Sequence, residues 1–515
     1  MQLAAHQGGP SLGRLALRTL DGHPDRTAFA WDGGSVTYAE VKATVGRYQK
    51  VLADAGLQRG QGVAALGGNR FEVWAIGTAI QALGLYVTWL HPMGGLSDQL
   101  FQIEDAEVSA VVLDETHYAE RSEQLAAEAT QRGLQVWTMG AAPYADDLTS
   151  AAAAVGDQPF LTIGEPDDRS IVNYTGGTTG RPKGAERRQR NVVQGAIDVL
   201  TDFNIPHGAQ YLMVAPMSHV AGTKIMPTLI NGGTVHLMNG FDPGKILETI
   251  EQERITTALF VPTMIYALLD HPDLATRDLS SLELVLYGAS PMSVSRLREG
   301  IEKIGPVFAQ LYGQTECYPV SMLTKEDHDL ANPDRLLSCG KPVVGVDVTI
   351  RDEANNEVPV GTAGELCVRG SSAMDGYWKR PDLTEEARAG GWLHTGDIAK
   401  VDAEGYLYIV DRKKDMIISG GFNVFPREVE DALTSHPDVA AAAVFGVPHE
   451  KWGEQVTAAV VLKPGGSVTP DALVEHVREL KGPVQTPKVI EIHEELPQTA
   501  VGKINKRALR DHYSA

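Results

Sequence analysis

Cysteine is scarce in this chain: its 515 residues contain three, Cys317, Cys339 and Cys367, with no Cys-x-x-Cys among them. So few, in odd number and without paired spacing, argue against a disulfide framework and for a reducing, cytoplasmic setting. Long apolar runs are missing too. The first twenty residues, MQLAAHQGGPSLGRLALRTL, hold no apolar core long enough for a signal peptide. The fairly apolar stretch from 63 to 90 is interrupted by Arg70 and Glu72, so it reads as buried helix and strand, not as a membrane span. Cations are outnumbered, 45 Lys plus Arg against 66 Asp plus Glu, for a net charge of −21. So acidic a chain is a poor general binder of nucleic acid or of an anionic membrane. Several signatures are absent as well. Without a Walker A loop or a GxGxxG, kinase and dinucleotide readings weaken. Without a GxSxG elbow or His and Cys at ligand spacing, serine hydrolysis and zinc chemistry lack support.

What is present is the composition of a globular protein, 43% apolar and 22% charged, too long for one compact core. Through the first 345 residues apolar runs bounded by Gly or Pro alternate with helical patterns, as in a layered α/β protein. The patterns predict helices over 192–200 and 245–255 and strands over 212–216, 257–262 and 282–290. From about 343 short strands and turns suggest the hairpins of a small β-barrel-like or sheet subdomain. The charged run 410–415, VDRKKD, is a surface turn or an interdomain linker. After it, alternating helices and strands fit a compact α+β domain of about a hundred residues. The expected division is 1–411 and 412–515.

One loop stands out. Residues 174–184, YTGGTTGRPKG, combine four glycines, three threonines, an arginine and a lysine. Glycines let backbone N–H groups approach an anion, hydroxyls donate, and cations offset charge, which suits a polyphosphate. Thr175, Gly176, Gly177, Thr178, Thr179 and Lys183 are the candidate ligands. Arg181, Lys183, Arg187, Arg188 and Arg190 concentrate positive charge in an acidic chain, although part of that run fits a solvated helix face equally well. Further along, QLYGQTECYP (310–319) places Tyr312, Gly313, Gln314, Thr315 and Glu316 at the mouth of a strand. Tyr312 could offer a flat face to a base, Thr315 a donor to a phosphate, and Glu316 an oxygen ligand to Mg²⁺.

Taken in order, the loop at 174, the YGQTE at 312–316 and the stretch 391–430 with its TGD, DRKK and GGFNVFPREVE resemble the signatures of the adenylate-forming superfamily. Acyl-CoA synthetases, peptide-synthetase adenylation domains and firefly luciferase belong to it. The likeness covers 174 to 510 and favours the acyl-CoA synthetase branch. It implies a large N-terminal domain of layered sheets and helices, followed by a smaller mobile α+β domain. The implied chemistry activates a carboxylic acid with ATP and Mg²⁺ to an acyl-adenylate and passes the acyl group to coenzyme A. On the same basis Asp397 and Arg412 would hold the ribose, the latter being implied by resemblance alone. Gly288, Ala289 and Ser290 would pass beside the adenine, Lys414 would be the hinge for rotation between half-reactions, and Gly420 and Gly421 would line the pantetheine path. Lys503 would be the catalytic lysine of the first half-reaction, and His219 the gate beside the acyl carboxylate.

The implied acid pocket, His219, Val220, Ala221, Gly222, Gly288, Ala289, Leu311, Cys317 and Tyr318, is mostly apolar and partly small. That favours an aryl or medium-chain aliphatic acid. Tyr318 either shortens the pocket or supplies a hydrogen bond. Lys224 could meet a second carboxylate, with snorkelling to solvent the stronger expectation. An amide-bond synthetase with an amine acceptor, a peptide-synthetase module and a non-catalytic nucleotide-binding protein are the alternatives. The missing Asp in 216–222 counts against an amino-acid substrate. A homodimer is compatible with the sequence.

Overall fold

Proline, left-handed backbone and side-chain caps delimit most of the elements that build the site. The computed structural model describes residues 9–175, 182–290, 292–413, 415–419, 422–498 and 504–513. The helix foreseen at 192–200 is Gln189–Asp202, extended at its start where Asn191 Oδ1 accepts from the Arg188 amide at 2.7 Å. The helix at 245–255 is Pro243–Gln252: Asp242 caps Lys245 N at 3.0 Å, Pro243 fits the first turn, and Arg254 leaves at φ 50°. The expected strand 212–216 is Gln210–Met213. It stops early because the carbonyls of Val214 and Ala215 accept from Asn69 Nδ2 instead of a neighbouring strand.

Two large sheets form the N-terminal region. The eight-stranded sheet runs Gly376–Tyr377, Lys183–Arg188, Arg169–Thr175, Tyr86–Trp89, Gly62–Leu66, Val108–Leu113, Gln135–Thr138, Asp146–Asp147. It is parallel except for the pairs made by Lys183–Arg188. The nine-stranded sheet centres on the parallel strands Leu284–Gly288, Thr257–Phe260, Gln210–Met213 and Thr234–Leu237, with Phe308–Gln314 and Cys317–Leu323 closing one side as an antiparallel pair. A single apolar core joins them, with Val63, Ala65 and Val87 from one sheet and Tyr211, Met213 and Leu286 from the other. Helix Phe71–Ala82 lies within it and is buried on nearly every face, as its unbroken apolar character requires.

The strands after 343 form an open four-stranded antiparallel sheet, Val346–Arg351, Gly364–Gly370, Leu393–Val401 and Leu407–Arg412, so of barrel and sheet the sheet is realised. From Ile417 a separate core assembles from Ile417, Val429, Leu433, Val444, Val456 and Leu473. We propose the domain boundary at 411/412, within the last strand of the four-stranded sheet. Among the described residues no helix is long and apolar enough to cross a membrane.

Candidate active site

A cavity of ≈ 2500 Å³ opens between the two large sheets, the four-stranded sheet and the C-terminal region. Strands Arg169–Thr175 and Lys183–Arg188 carry the ends of the glycine-rich loop toward it, paired Thr175 with Lys183, Asn173 with Ala185 and Ile171 with Arg187. Strand alternation turns Ile171, Asn173, Thr175, Lys183 and Arg187 to the cavity wall. Lys183 lies with its ammonium 5.2 Å from the ring centroid of Tyr377. Gly176, Gly177, Thr178, Thr179 and Arg181 are outside the described residues. Two members of the expected cation cluster point elsewhere. Arg188 Nε is 3.4 Å from Asp375, and Arg190 pairs with Asp167 at 3.2 Å and with Asp375. That network on the outer side fits the solvated-face reading.

Asp397 draws three partners from the wall. Tyr312 Oη donates to its Oδ2 at 2.6 Å, Gln314 Nε2 donates to the same oxygen at 2.9 Å, and Arg412 Nε stands 3.6 Å from Oδ1. The antiparallel register that faces Asp397 with Arg412 sets the last pair. Burial, then the neighbouring carboxylate, raises the Tyr312 hydroxyl well above its usual range, so it remains a donor. Tyr312 therefore presents its ring to the cavity while its hydroxyl positions Asp397. Ala289 and Ser290 line the wall, Ala289 in the left-handed region at φ 66°, a strained conformation for a residue with a Cβ. Gly288 sits behind them: a Cβ there would lie 2.4 Å from the Leu311 carbonyl oxygen of the paired strand.

Thr315 and Glu316 form the turn between Phe308–Gln314 and Cys317–Leu323, and both line the cavity with Gly313. Glu316 Oε1 accepts from Tyr377 Oη at 2.9 Å, and the Glu316 carbonyl accepts from Met374 N at 2.6 Å. Its second carboxylate oxygen takes no hydrogen bond from the described residues. A hard, anchored oxygen donor is what Mg²⁺ requires, so the arrangement fits that ion.

At the end expected to take the acid, His219 Nδ1 lies 2.8 Å from Ser218 Oγ, and its ring meets the edge of His91 at 4.3 Å and 81°. Burial holds His91 below the usual histidine range. Val220, Gly222, Leu311 and Tyr318 line this end. Ala221 and Cys317 do not: both are fully buried, the first offering its carbonyl to Tyr211 Oη at 3.0 Å, the second turned to Ser372 Oγ at 4.0 Å. Helix Gln189–Asp202 adds Val192, Gly195 and Ala196. A Cβ on Gly195 would come 2.9 Å from the Tyr318 carbonyl oxygen, so only glycine lets this helix approach the strand so closely.

Lys224 overturns the expectation that it snorkels. It is fully buried, donates to Thr223 Oγ1 at 2.9 Å and to Tyr318 Oη, and lies 5.0 Å from the ring centroid of Phe203. Burial pushes its ammonium well below the usual lysine range. The Tyr318 hydroxyl is thus engaged from behind, which leaves its ring as the wall. The apolar residues that follow Lys224, Ile225 and Met226, were the one sequence signal of this burial. Trp89 and Gly77, from elements far from the motifs, also line the cavity, as does Arg187, which the sequence showed only as part of the cation run after the glycine-rich loop.

On the C-terminal side Lys414, Gly420, Gly421 and Lys503 are outside the described residues. Next to the proposed hinge, Lys413 Nζ is 3.0 Å from Glu365 Oε2. Glu365, Cys367 and His394 converge there, a cluster that sequence spacing does not show. Lys413, His394 at 3.0 Å and the Gly396 amide at 3.1 Å already occupy the Glu365 carboxylate, and burial lifts the Cys367 thiol to about 12. These are features of an internal hydrogen-bonded group. Asp411, accepting from Arg412 N at 2.6 Å and Arg427 N at 3.0 Å, is pushed by burial up to about 6. Lys506, three residues after Lys503 in the sequence, pairs with Glu430 at 2.7 Å.

Residues 17–378 match the AMP-binding enzyme family and residues 428–503 the AMP-binding enzyme C-terminal domain. The chain is 40% identical to a medium/long-chain-fatty-acid–CoA ligase, FadD8, of Mycobacterium tuberculosis, over 97% of this chain and 90% of that one. It is 36% identical to a feruloyl-CoA synthase of Amycolatopsis, over 98% and 99%. The amide bond synthetase McbA of Marinactinospora thermotolerans superimposes with a TM-score of 0.90 at 33% identity, covering 98% of this chain and all of that one. With both family regions present in order and relatives aligned over nearly its full length, the chain belongs to the AMP-binding enzymes, the adenylate-forming superfamily, on its acyl-CoA ligase branch.

Proposed function

We propose that this protein is an AMP-forming acid–thiol ligase that activates an aryl or medium-chain aliphatic carboxylic acid with ATP and transfers the acyl group to coenzyme A. The observation that carries the reading is the convergence on one cavity of the Tyr312–Gln314–Asp397–Arg412 cluster, the Thr315–Glu316 turn and the His219 end. Asp397 takes the ribose hydroxyls on Oδ1, the oxygen its internal donors leave most open. Glu316 would hold Mg²⁺, which supplies positive charge beside the phosphates. In the first half-reaction the acid's carboxylate attacks the α-phosphorus and pyrophosphate leaves; Lys503 and Lys183 offset the charge that builds there. In the second, the CoA thiol attacks the acyl carbon and AMP leaves. The two events share one space, which is why Lys503 sits on a domain hinged at Lys414.

The test is acid-dependent pyrophosphate release from ATP, followed by thioester formation with CoA, across aryl, fatty and amino acids. Release with one acid class and a CoA thioester as product is expected; silence from folded protein that binds ATP refutes the reading. A second reading, amide formation with an amine acceptor, draws on the likeness to McbA. Competition between CoA and amines for the same adenylate decides between them.

A further inference from the structure

Arg187 is the anomaly of the cavity wall. It faces inward from strand Lys183–Arg188, yet its guanidinium makes no hydrogen bond or ion pair with any described residue, and its Nε is completely buried without a partner. Its electrostatic neighbours are Glu316 and Cys317, neither within ion-pair distance, and burial presses it below the usual guanidinium range. A desolvated cation left unpaired is costly, and the neighbouring Arg188 and Arg190 have found carboxylates. The wall around Arg187 is specific. Its cross-strand partner Ile171 lines the cavity, and Asn173 accepts from the Trp89 amide at 3.4 Å. Gly77 clears space at the Trp89 indole, where a Cβ would lie 2.8 Å from a ring carbon. A flat aromatic surface thus shares a wall with a planar donor that no described residue engages.

We propose that Arg187 is a specificity-determining residue of the acid pocket, and that the acid is an aryl acid carrying a ring oxygen, its ring against Trp89 and its oxygen accepting from the guanidinium. The inference rests on the acid–CoA ligase reading and narrows it. A saturated fatty chain would leave the guanidinium unpaired when it displaced water, a loss repeated at every binding event. A second carboxylate would meet the field of Glu316, which already offsets part of the positive charge. The triphosphate is the rival partner, and the ATP KM of Arg187→Met decides between the two.

Pairs of acids differing by one oxygen test this, with thioester formation as readout. Wild-type kcat/KM for 4-hydroxycinnamate should exceed that for cinnamate by about tenfold or more. Arg187→Met should bring the ratio within about threefold, through a raised KM for the hydroxy acid with the ATP KM unmoved. Its Tm should hold or rise, since an unpaired, half-buried cation is removed; a purely structural arginine would lower it. Equal wild-type efficiencies, an unchanged ratio in Arg187→Met, a raised ATP KM, or a preference for nonanedioate or dodecanoate over 4-hydroxycinnamate would each overturn the proposal. If no acid gives a thioester, the ligase reading fails by itself. Tryptophan quenching by the two cinnamates in wild type and Arg187→Met then reads the pocket alone: tighter binding of the hydroxy acid, lost in the variant, supports the inference, and equal affinities overturn it.

Discussion

The end of the cavity proposed for the nucleotide and the end proposed for the acid are built on opposite terms. Around Asp397 the chain supplies the partners itself: Tyr312, Gln314 and Arg412 converge on one carboxylate. Around Arg187 the described residues supply none. An end that receives the same ligand in every turnover can be preorganised by internal bonds. An end that discriminates among ligands gains by leaving a donor whose only good partner is the right substrate. The contrast suggests where a substitution should act on rate, on nucleotide affinity or on stability alone.

The largest effect is expected at Lys503. Lys503→Ala should slow adenylation by on the order of a hundredfold or more while sparing thiolysis of supplied acyl-adenylate, which pyrophosphate release and thioester assays measure separately. Equal loss in both would break the division of labour between the domains. At the preorganised end, Asp397→Asn should raise the KM for ATP by about tenfold and leave the preference among acids unchanged. Tyr312→Phe should act in the same direction but less. A changed acid preference would mean that the two ends are not independent.

Stability offers a subtler division. The Asp411 carboxyl stands at about 6 in the folded protein against an ordinary 3.8. A carboxyl raised by folding contributes stability fully below its unfolded value and loses that contribution as pH climbs through the folded one. The unfolding free energy from urea titrations should therefore fall between about pH 4 and 6 in wild type, by about 3 kcal/mol, and less in Asp411→Asn. The smallest effect belongs to the pair behind the acid wall. Lys224→Met should cost about 1 kcal/mol by stranding the Tyr318 hydroxyl, and Lys224→Met with Tyr318→Phe should recover it, as seen in thermal melts. Failure to recover would give Lys224 a role beyond that hydroxyl.

How legible this was from sequence follows the same contrast. Asp397 and Glu316 sit in contiguous motifs whose chemistry is carried by neighbours in the chain, so both were named as candidates from the sequence, and both line the cavity. Arg187, Arg188 and Arg190 look alike as a run of arginines. What separates them is strand alternation and two aspartates, Asp167 and Asp375, one far off in sequence. Lys224 looked like a surface lysine because its partner Tyr318 is 94 residues away. The layered fold was readable from apolar runs and breakers, but the early end of strand Gln210–Met213 depended on Asn69, a side chain from another layer.

The three cysteines bear on a hazard of the chemistry itself. Each is buried, and burial lifts the thiols of Cys317 and Cys339 to about 11 and that of Cys367 to about 12. Near pH 7 roughly one such thiol in ten thousand, or fewer, is a thiolate. A protein that holds an acyl-adenylate while waiting for a foreign thiol thereby keeps its own sulfurs out of the competition, protected both from self-acylation and from mixed disulfides with the coenzyme.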